Sequence, residues 1–137
     1  MMEKNILVPL GPHNKGIRGV HHALALAKRI PARVFILEWV PSEGEDDQRS
    51  PEEDVLGDLI TTARQAGLNV SHHKARGPFE KELVGFVHEE GIHVLVLEEG
   101  EEHWNRLLHQ TRATLPTQVI LVKQKRGRNR PRRRKEG

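Results

Sequence analysis

Carboxylates and histidines are the residues of this chain whose types and spacing could do chemistry. The densest group follows an apolar run and reads Glu98-Glu99-Gly100-Glu101-Glu102. Oxygen ligands of this kind can hold a divalent cation, although a solvated loop is the commoner role of such a run. His13 and His103 could join Glu98 or Glu99 in a small metal or acid–base cluster; scattered surface histidines are the simpler interpretation.

The rest of the sequence gives little support for catalysis. The pairs His21-His22 and His72-His73 point about 100° apart in a helix and to opposite faces in a strand, so neither pair can chelate one metal alone. No HExxH, Ser-His-Asp or Walker-type motif occurs. Without cysteine there is no thiolate nucleophile, disulfide or Cys-based zinc site. We therefore expect a protein that is not an enzyme and has no metal site.

Size and hydropathy narrow the class of protein further. A chain of 137 residues predicts one domain. No apolar run approaches the roughly 20 residues of a membrane span, and no signal peptide is visible. We expect a cytoplasmic protein without a transmembrane segment.

A parallel sheet is expected to position the candidate residues. The run from Lys4 to Ile30 begins as an apolar strand, turns at Gly11–Lys15 and continues with apolar residues at helical spacing. The same alternation recurs downstream, and its βαβαβαβαβ order predicts a parallel sheet with right-handed crossovers. Later strands are predicted at Arg33–Val40, Asn69–Ala75 (an edge strand of mixed polarity), His93–Leu97 and Gln118–Lys123, and later helices between Ser50 and Gly67, from Pro78 to Glu90 and within Glu101–Thr114.

Five segments in order resemble the universal stress protein family: KNILVPL, ALALAKRI, GPFEKELVGFVHEEGIHVLVL, RLL at 106–108 and PTQVILVK. The resemblance covers about residues 4–123. It implies an α/β three-layer sandwich of the adenine nucleotide alpha hydrolase-like type, with a five-stranded parallel sheet in the order 3-2-1-4-5. It also implies a homodimer through the last strand, which fits the need to cover an apolar edge strand. The dimer residues would be Val119, Ile120, Leu121 and Val122.

The resemblance also locates a nucleotide site, which departs from the pattern of the family's ATP binders. Those members have an Asp after strand 1 and a G-x2-G-x9-G-(S/T) run after strand 4, whose backbone amides approach the phosphates. Here Gly11 replaces the Asp, and Glu98 and Gln110 replace the first and last glycines. The four glutamates of the run repel phosphates, so we expect no ATP binding in the family manner and no cofactor. The vestigial site would comprise Pro9, Leu10, Gly11, Val40, Gly100, Gln110 and Thr111.

The two tryptophans are interpreted from their positions. Trp39 is expected to pack in the core or at the exit of the second strand. Trp104 falls in the altered nucleotide loop, where its ring could fill the cleft that adenosine would occupy.

A basic tail, residues 124–137, is predicted to follow the domain of residues 1–123. Residues 123–137 hold nine Lys or Arg and one Glu, whereas residues 1–122 are mildly acidic. Such a segment is disordered by composition and attracts RNA, DNA or an anionic membrane surface without sequence preference. A solubilising extension, or an arm that docks on its own acidic body, is the alternative. The basic residues are Lys125, Arg126, Arg128, Arg130, Arg132, Arg133, Arg134 and Lys135.

The first functional hypothesis is a non-catalytic regulatory or binding module with an unknown protein partner. The first alternative is an ATP- or AMP-sensing stress protein whose altered loop still binds nucleotide. The second is an accessory protein that binds nucleic acid or an anionic surface through its tail.

Overall fold

Strands and helices alternate along the chain in the computed structural model, which describes residues 3–11, 17–40, 51–98 and 117–122 (at 51–54 and 79–80 only the backbone). The elements are β1 Lys4–Leu10, α1 Ile17–Ala27, β2 Ala32–Trp39, α2 Pro51–Gln65, β3 Asn69–Ala75, α3 Phe79–Glu90, β4 Val94–Glu98 and β5 Gln118–Val122.

The strands form one sheet in the order β3-β2-β1-β4-β5, and every pair of neighbours is parallel. This confirms the predicted fold class and strand order. The three inner strands β2, β1 and β4 are mostly buried, because their apolar runs are covered on both faces. β3 has mixed burial and lies at one edge, as its mixed polarity predicted.

Alternation along the strands gives the sheet two cores. One face of the sheet packs against α1 and α2 through residues such as Val8, Ile36 and Val96. The opposite face packs against α3 through Leu83 and Val87. α1 approaches the first face closely because Gly19 has no side chain: a Cβ there would lie 3.2 Å from Val8 Cγ1 and 3.6 Å from the Val96 carbonyl oxygen.

Most element boundaries agree with the sequence to within one residue: β2 is Ala32–Trp39 instead of Arg33–Val40, β5 ends at Val122 instead of Lys123, and α3 begins at Phe79 instead of Pro78. The largest difference is at the end of α1. α1 ends at Ala27 instead of Ile30, because Arg29 N–H bonds to the Leu26 carbonyl (2.9 Å) in a tightened last turn before Pro31. β4 runs from Val94 to Glu98 instead of His93 to Leu97. α3 ends at Gly91, as predicted, in the left-handed conformation (φ 63°) that glycine tolerates best.

The predicted helix within Glu101–Thr114 and the predicted tail lie outside the described residues. Within those residues, no helix is both long and apolar enough to cross a membrane.

Candidate ligand site at the carboxyl edge of the sheet

The order of the strands reverses at β1, which pairs with β2 on one side and with β4 on the other. In open parallel sheets, ligands bind beyond the carboxyl ends of the strands at such a switch point. The described residues at this point are Leu10 and Gly11 at the end of β1 and Glu98 at the end of β4.

The structure brings part of the predicted nucleotide site to this edge. Pro9, Leu10 and Gly11 are all buried at the end of β1. Val40 follows β2, is buried, and donates its backbone N–H to the Ala75 carbonyl at 2.9 Å. That N–H therefore closes the β2–β3 pair and is not available to a ligand. The remaining predicted site residues, Gly100, Gln110 and Thr111, lie outside the described residues.

Glu98 differs most from expectation, because it was predicted to lie in a solvated loop. It is the last residue of β4, opposite Val122 of β5, and its exposed fraction is only 8%. Among the described residues it is the one buried charged side chain. Strand alternation places it on the same face as Val96, the face that the first turn of α1 contacts.

The Glu98 carboxylate has no hydrogen bond or ion pair with any residue that the structure describes. A buried carboxylate without a partner is costly, and each such group calls for an explanation. The described ends of β1, β4 and β5 supply no Lys or Arg. This part of the edge is therefore apolar and acidic.

The paired histidines lie on opposite faces of β3, as predicted. His72 Nε2 lies 2.8 Å from Glu38 Oε1, on the face of α1 and α2. His73 stacks on Phe35, with ring centroids 6.1 Å apart, on the other face. Sequence reasoning missed Glu38 as a partner of His72, since a carboxylate within an apolar strand carries no signal of its neighbour 34 residues away.

No group of three or more potential metal ligands occurs among the described residues. His13 and His103, the other members of the predicted metal or acid–base cluster, are not among those residues.

Trp39 ends β2 and is half-buried against the α3 core. Its Nε1–H donates to the Gly77 carbonyl at 3.1 Å. This confirms the expected role at the exit of the strand. Trp104 falls outside the part of the chain that the structure describes.

Solved structures of universal stress proteins resemble this chain over most of its length. A family member from Burkholderia pseudomallei is 19% identical, with a TM-score of 0.64 over 87% of this chain and 95% of that one. A protein from Archaeoglobus fulgidus in complex with dAMP is 17% identical, with a TM-score of 0.61 over 90% of this chain and 100% of that one. An Arabidopsis thaliana protein with AMP bound is 13% identical, with a TM-score of 0.61 over 88% and 91%.

These similarities establish that the chain has the universal stress protein fold, and they agree with the resemblance noted in the sequence. No protein-family model and no curated protein sequence matches the chain.

Proposed function

We propose that this chain is a universal stress protein that acts as a non-catalytic binding or regulatory module in the cytoplasm. Residues 1–123 would form the domain and residues 124–137 a basic tail. The site at the ends of β1 and β4 would not bind ATP in the manner of the family's ATP binders. The shared fold supports the family assignment.

The observation that carries the nucleotide proposal is the burial of Glu98 at the switch point. Two unit charges 4 Å apart repel by about 4 kcal/mol at the effective dielectric constant near a protein surface. That repulsion alone corresponds to roughly a thousandfold loss of affinity for a phosphate placed beside Glu98. A triphosphate, which carries several charges, would be disfavoured most.

Equilibrium dialysis of the full-length chain with labelled ATP and Mg²⁺ tests this proposal. We expect no saturable binding at micromolar ATP. Glu98→Gln, which removes the charge and keeps the size, should raise the affinity at least tenfold, whereas the exposed Glu89→Gln should leave it unchanged. Micromolar saturation by the unsubstituted chain would overturn the proposal.

Nucleotide sensing is the second candidate, because proteins of this fold have been solved with AMP or dAMP. A monophosphate brings fewer charges to the edge than a triphosphate, so Glu98 would oppose it less. The same dialysis with AMP in place of ATP separates the two candidates. Micromolar binding of AMP alone would favour a sensor of monophosphates.

A homodimer through β5 is part of the proposal. β5 has one described neighbour, β4, and it carries one of the two large apolar side chains exposed in the described region, Leu121 at 38%. The other is Val55 at 52%, on α2. In sedimentation equilibrium, Leu121→Lys should weaken a dimer about 10- to 100-fold, the cost of exposing one buried leucine. Val55→Lys is the matched control and should leave it unchanged; a monomer at all concentrations would contradict this mode.

A further inference from the structure

Glu98 is buried at the carboxyl edge without a described partner. Its exposed fraction is 8%, and none of the described residues forms an ion pair or side-chain hydrogen bond with it. Taking an ionised carboxylate out of water is strongly unfavourable unless a cation or several donors meet it. The position therefore calls for a cation or several hydrogen-bond donors, and an arginine side chain supplies both.

The basic residues of the described region do not fill this role. Lys4 and Arg33 begin their strands, at the opposite edge of the sheet. Lys74 and Arg76 are at or after the end of β3, three strands away from β4. Arg18, in the first turn of α1, is exposed and forms no described ion pair with Glu98.

We propose that the occupant is the basic segment 125–135 of the same chain, and that an arginine of this segment pairs with Glu98. This inference rests on the proposed function in one respect: the edge must be free of nucleotide phosphates. Segment 125–135 lies outside the described residues, but the place from which it departs is known. β5 ends at Val122, which is the register partner of Glu98.

Distance and tethering favour this occupant. Neighbouring strands are about 4.8 Å apart, and three extended residues span about 10 Å, so a segment that follows Val122 is long enough to bring Lys125 or Arg126 to Glu98. Because the tether is short, the effective concentration of the segment at the edge is high.

The chemistry of the segment also fits. Most of its basic residues are arginines, whose planar, weakly hydrated guanidinium matches a carboxylate with two parallel hydrogen bonds. A polyanion would then have to displace the segment from Glu98 before it could bind the whole tail. The edge would thereby hold the tail back from nucleic acid.

A double-mutant cycle in the full-length chain tests the pairing by urea unfolding without nucleotide. One set of substitutions neutralises the near residues (Lys125→Gln, Arg126→Gln, Arg128→Gln), and a second, of equal charge, neutralises distant ones (Arg132→Gln, Arg133→Gln, Arg134→Gln). We expect the near set to lower the folding equilibrium constant about tenfold with Glu98 present and less than twofold in Glu98→Gln. Coupling of the distant set to Glu98 would also support docking, and would place the arginine that pairs with Glu98 within residues 132–134. The proposal would be overturned if each set lowered the folding equilibrium constant equally in the unsubstituted chain and in Glu98→Gln. It would also be overturned if the sets were coupled to the exposed Glu89→Gln as strongly as to Glu98→Gln.

A second measurement keeps the proposal testable if Glu98→Gln does not fold. Since the chain has no cysteine, Asn129→Cys accepts a single spin label within the segment. We expect it to broaden the amide signals of Gly11 and Glu98, with recovery when heparin is added. Signals that heparin does not restore would overturn the proposal. Broadening seen only when an isotope-labelled chain is mixed with a separate spin-labelled chain would mean that the segment contacts another molecule, and would also overturn docking within the same chain.

These results separate the two proposals. ATP binding in dialysis with intact coupling would refute the proposed function alone. If ATP does not bind and Glu98 is not coupled to the basic segment, only the docking of the segment would be refuted.

Discussion

The two ends of the β1–β4 pair satisfy their polar groups in different ways. At the amino end, Asn5 donates its backbone N–H to His93 Nδ1 at 2.9 Å, and His93 returns its N–H to the Asn5 carbonyl at 2.8 Å. The Asn5 side-chain amide donates to the carbonyls of Glu90 and Gly91 at the end of α3, at 3.0 and 3.1 Å. At the carboxyl end, Glu98 is buried, and its side chain forms no such hydrogen bond with a described residue.

The difference indicates that the amino end is structural. At the amino end, the donors and acceptors hydrogen-bond to one another. Because Nδ1 of His93 accepts a hydrogen bond, the ring of a neutral His93 carries its proton on Nε2. These bonds join β1, β4 and α3 and leave little for a ligand. The carboxyl end holds a buried carboxylate that its described neighbours do not balance, and such a group calls for an explanation.

We expect the largest effect on stability where α1 packs against β1 and β4. Gly19→Leu would force a side chain into the space of Val8 and Val96, and we expect a loss of about 3 kcal/mol in the free energy of unfolding. Gly57→Leu, on α2, is the control: no atom lies within 4 Å of its Cβ position, and better helix propensity should add about 0.5–1 kcal/mol. Urea unfolding measures both. Similar effects would mean that α1 does not approach the sheet closely.

Removal of the histidine at the amino end should have the next largest effect. His93→Ala leaves the Asn5 N–H without its acceptor, and we expect a loss of about 1–3 kcal/mol in urea unfolding. His88→Ala, at an exposed position of α3, should change the free energy of unfolding by less than about 0.5 kcal/mol. If the two variants were equally stable, the hydrogen bonds of the amino end would not be structural.

The glycine that ends α3 should have a smaller effect. Gly91→Ala places a Cβ in the left-handed region, at φ 63°, and we expect thermal unfolding to report a loss of about 1–2 kcal/mol. Gly85→Ala, within the same helix and without near neighbours, should instead stabilise the protein by about 0.5–1 kcal/mol. A stabilised Gly91→Ala would show that the end of α3 adopts another conformation.

The smallest change in stability is expected at the carboxyl end. Glu98→Gln loses any attraction to a cation but also removes the cost of burying a charge, so the free energy of unfolding should change by less than about 1 kcal/mol. A loss above about 2 kcal/mol in urea unfolding would contradict the comparison, because it would make Glu98 as structural as the amino end.

The sheet could be predicted well from the sequence, because apolar runs and alternation are local signals. The bounds of β3 and the end of α3 at Gly91 were predicted to the residue. The end of β4 was wrong by one residue, since the prediction stopped at the last apolar side chain, Leu97. The burial of Glu98 beside β5 depends on the fold around it, which its own segment does not reveal.

The hydrogen bonds of the amino end were also beyond sequence reasoning. Asn5 and His93 are 88 residues apart, and neither has a local pattern that names the other. They meet because the strand order reverses at β1, which brings the start of β1 beside the start of β4.

The absence of nucleotide from this edge can be checked in a crystal structure of the full-length chain grown with ATP and Mg²⁺. We expect no nucleotide between the ends of β1 and β4, with the Glu98 carboxylate still buried there. An adenosine phosphate seated at that edge, with its phosphates beside Glu98, would contradict this expectation.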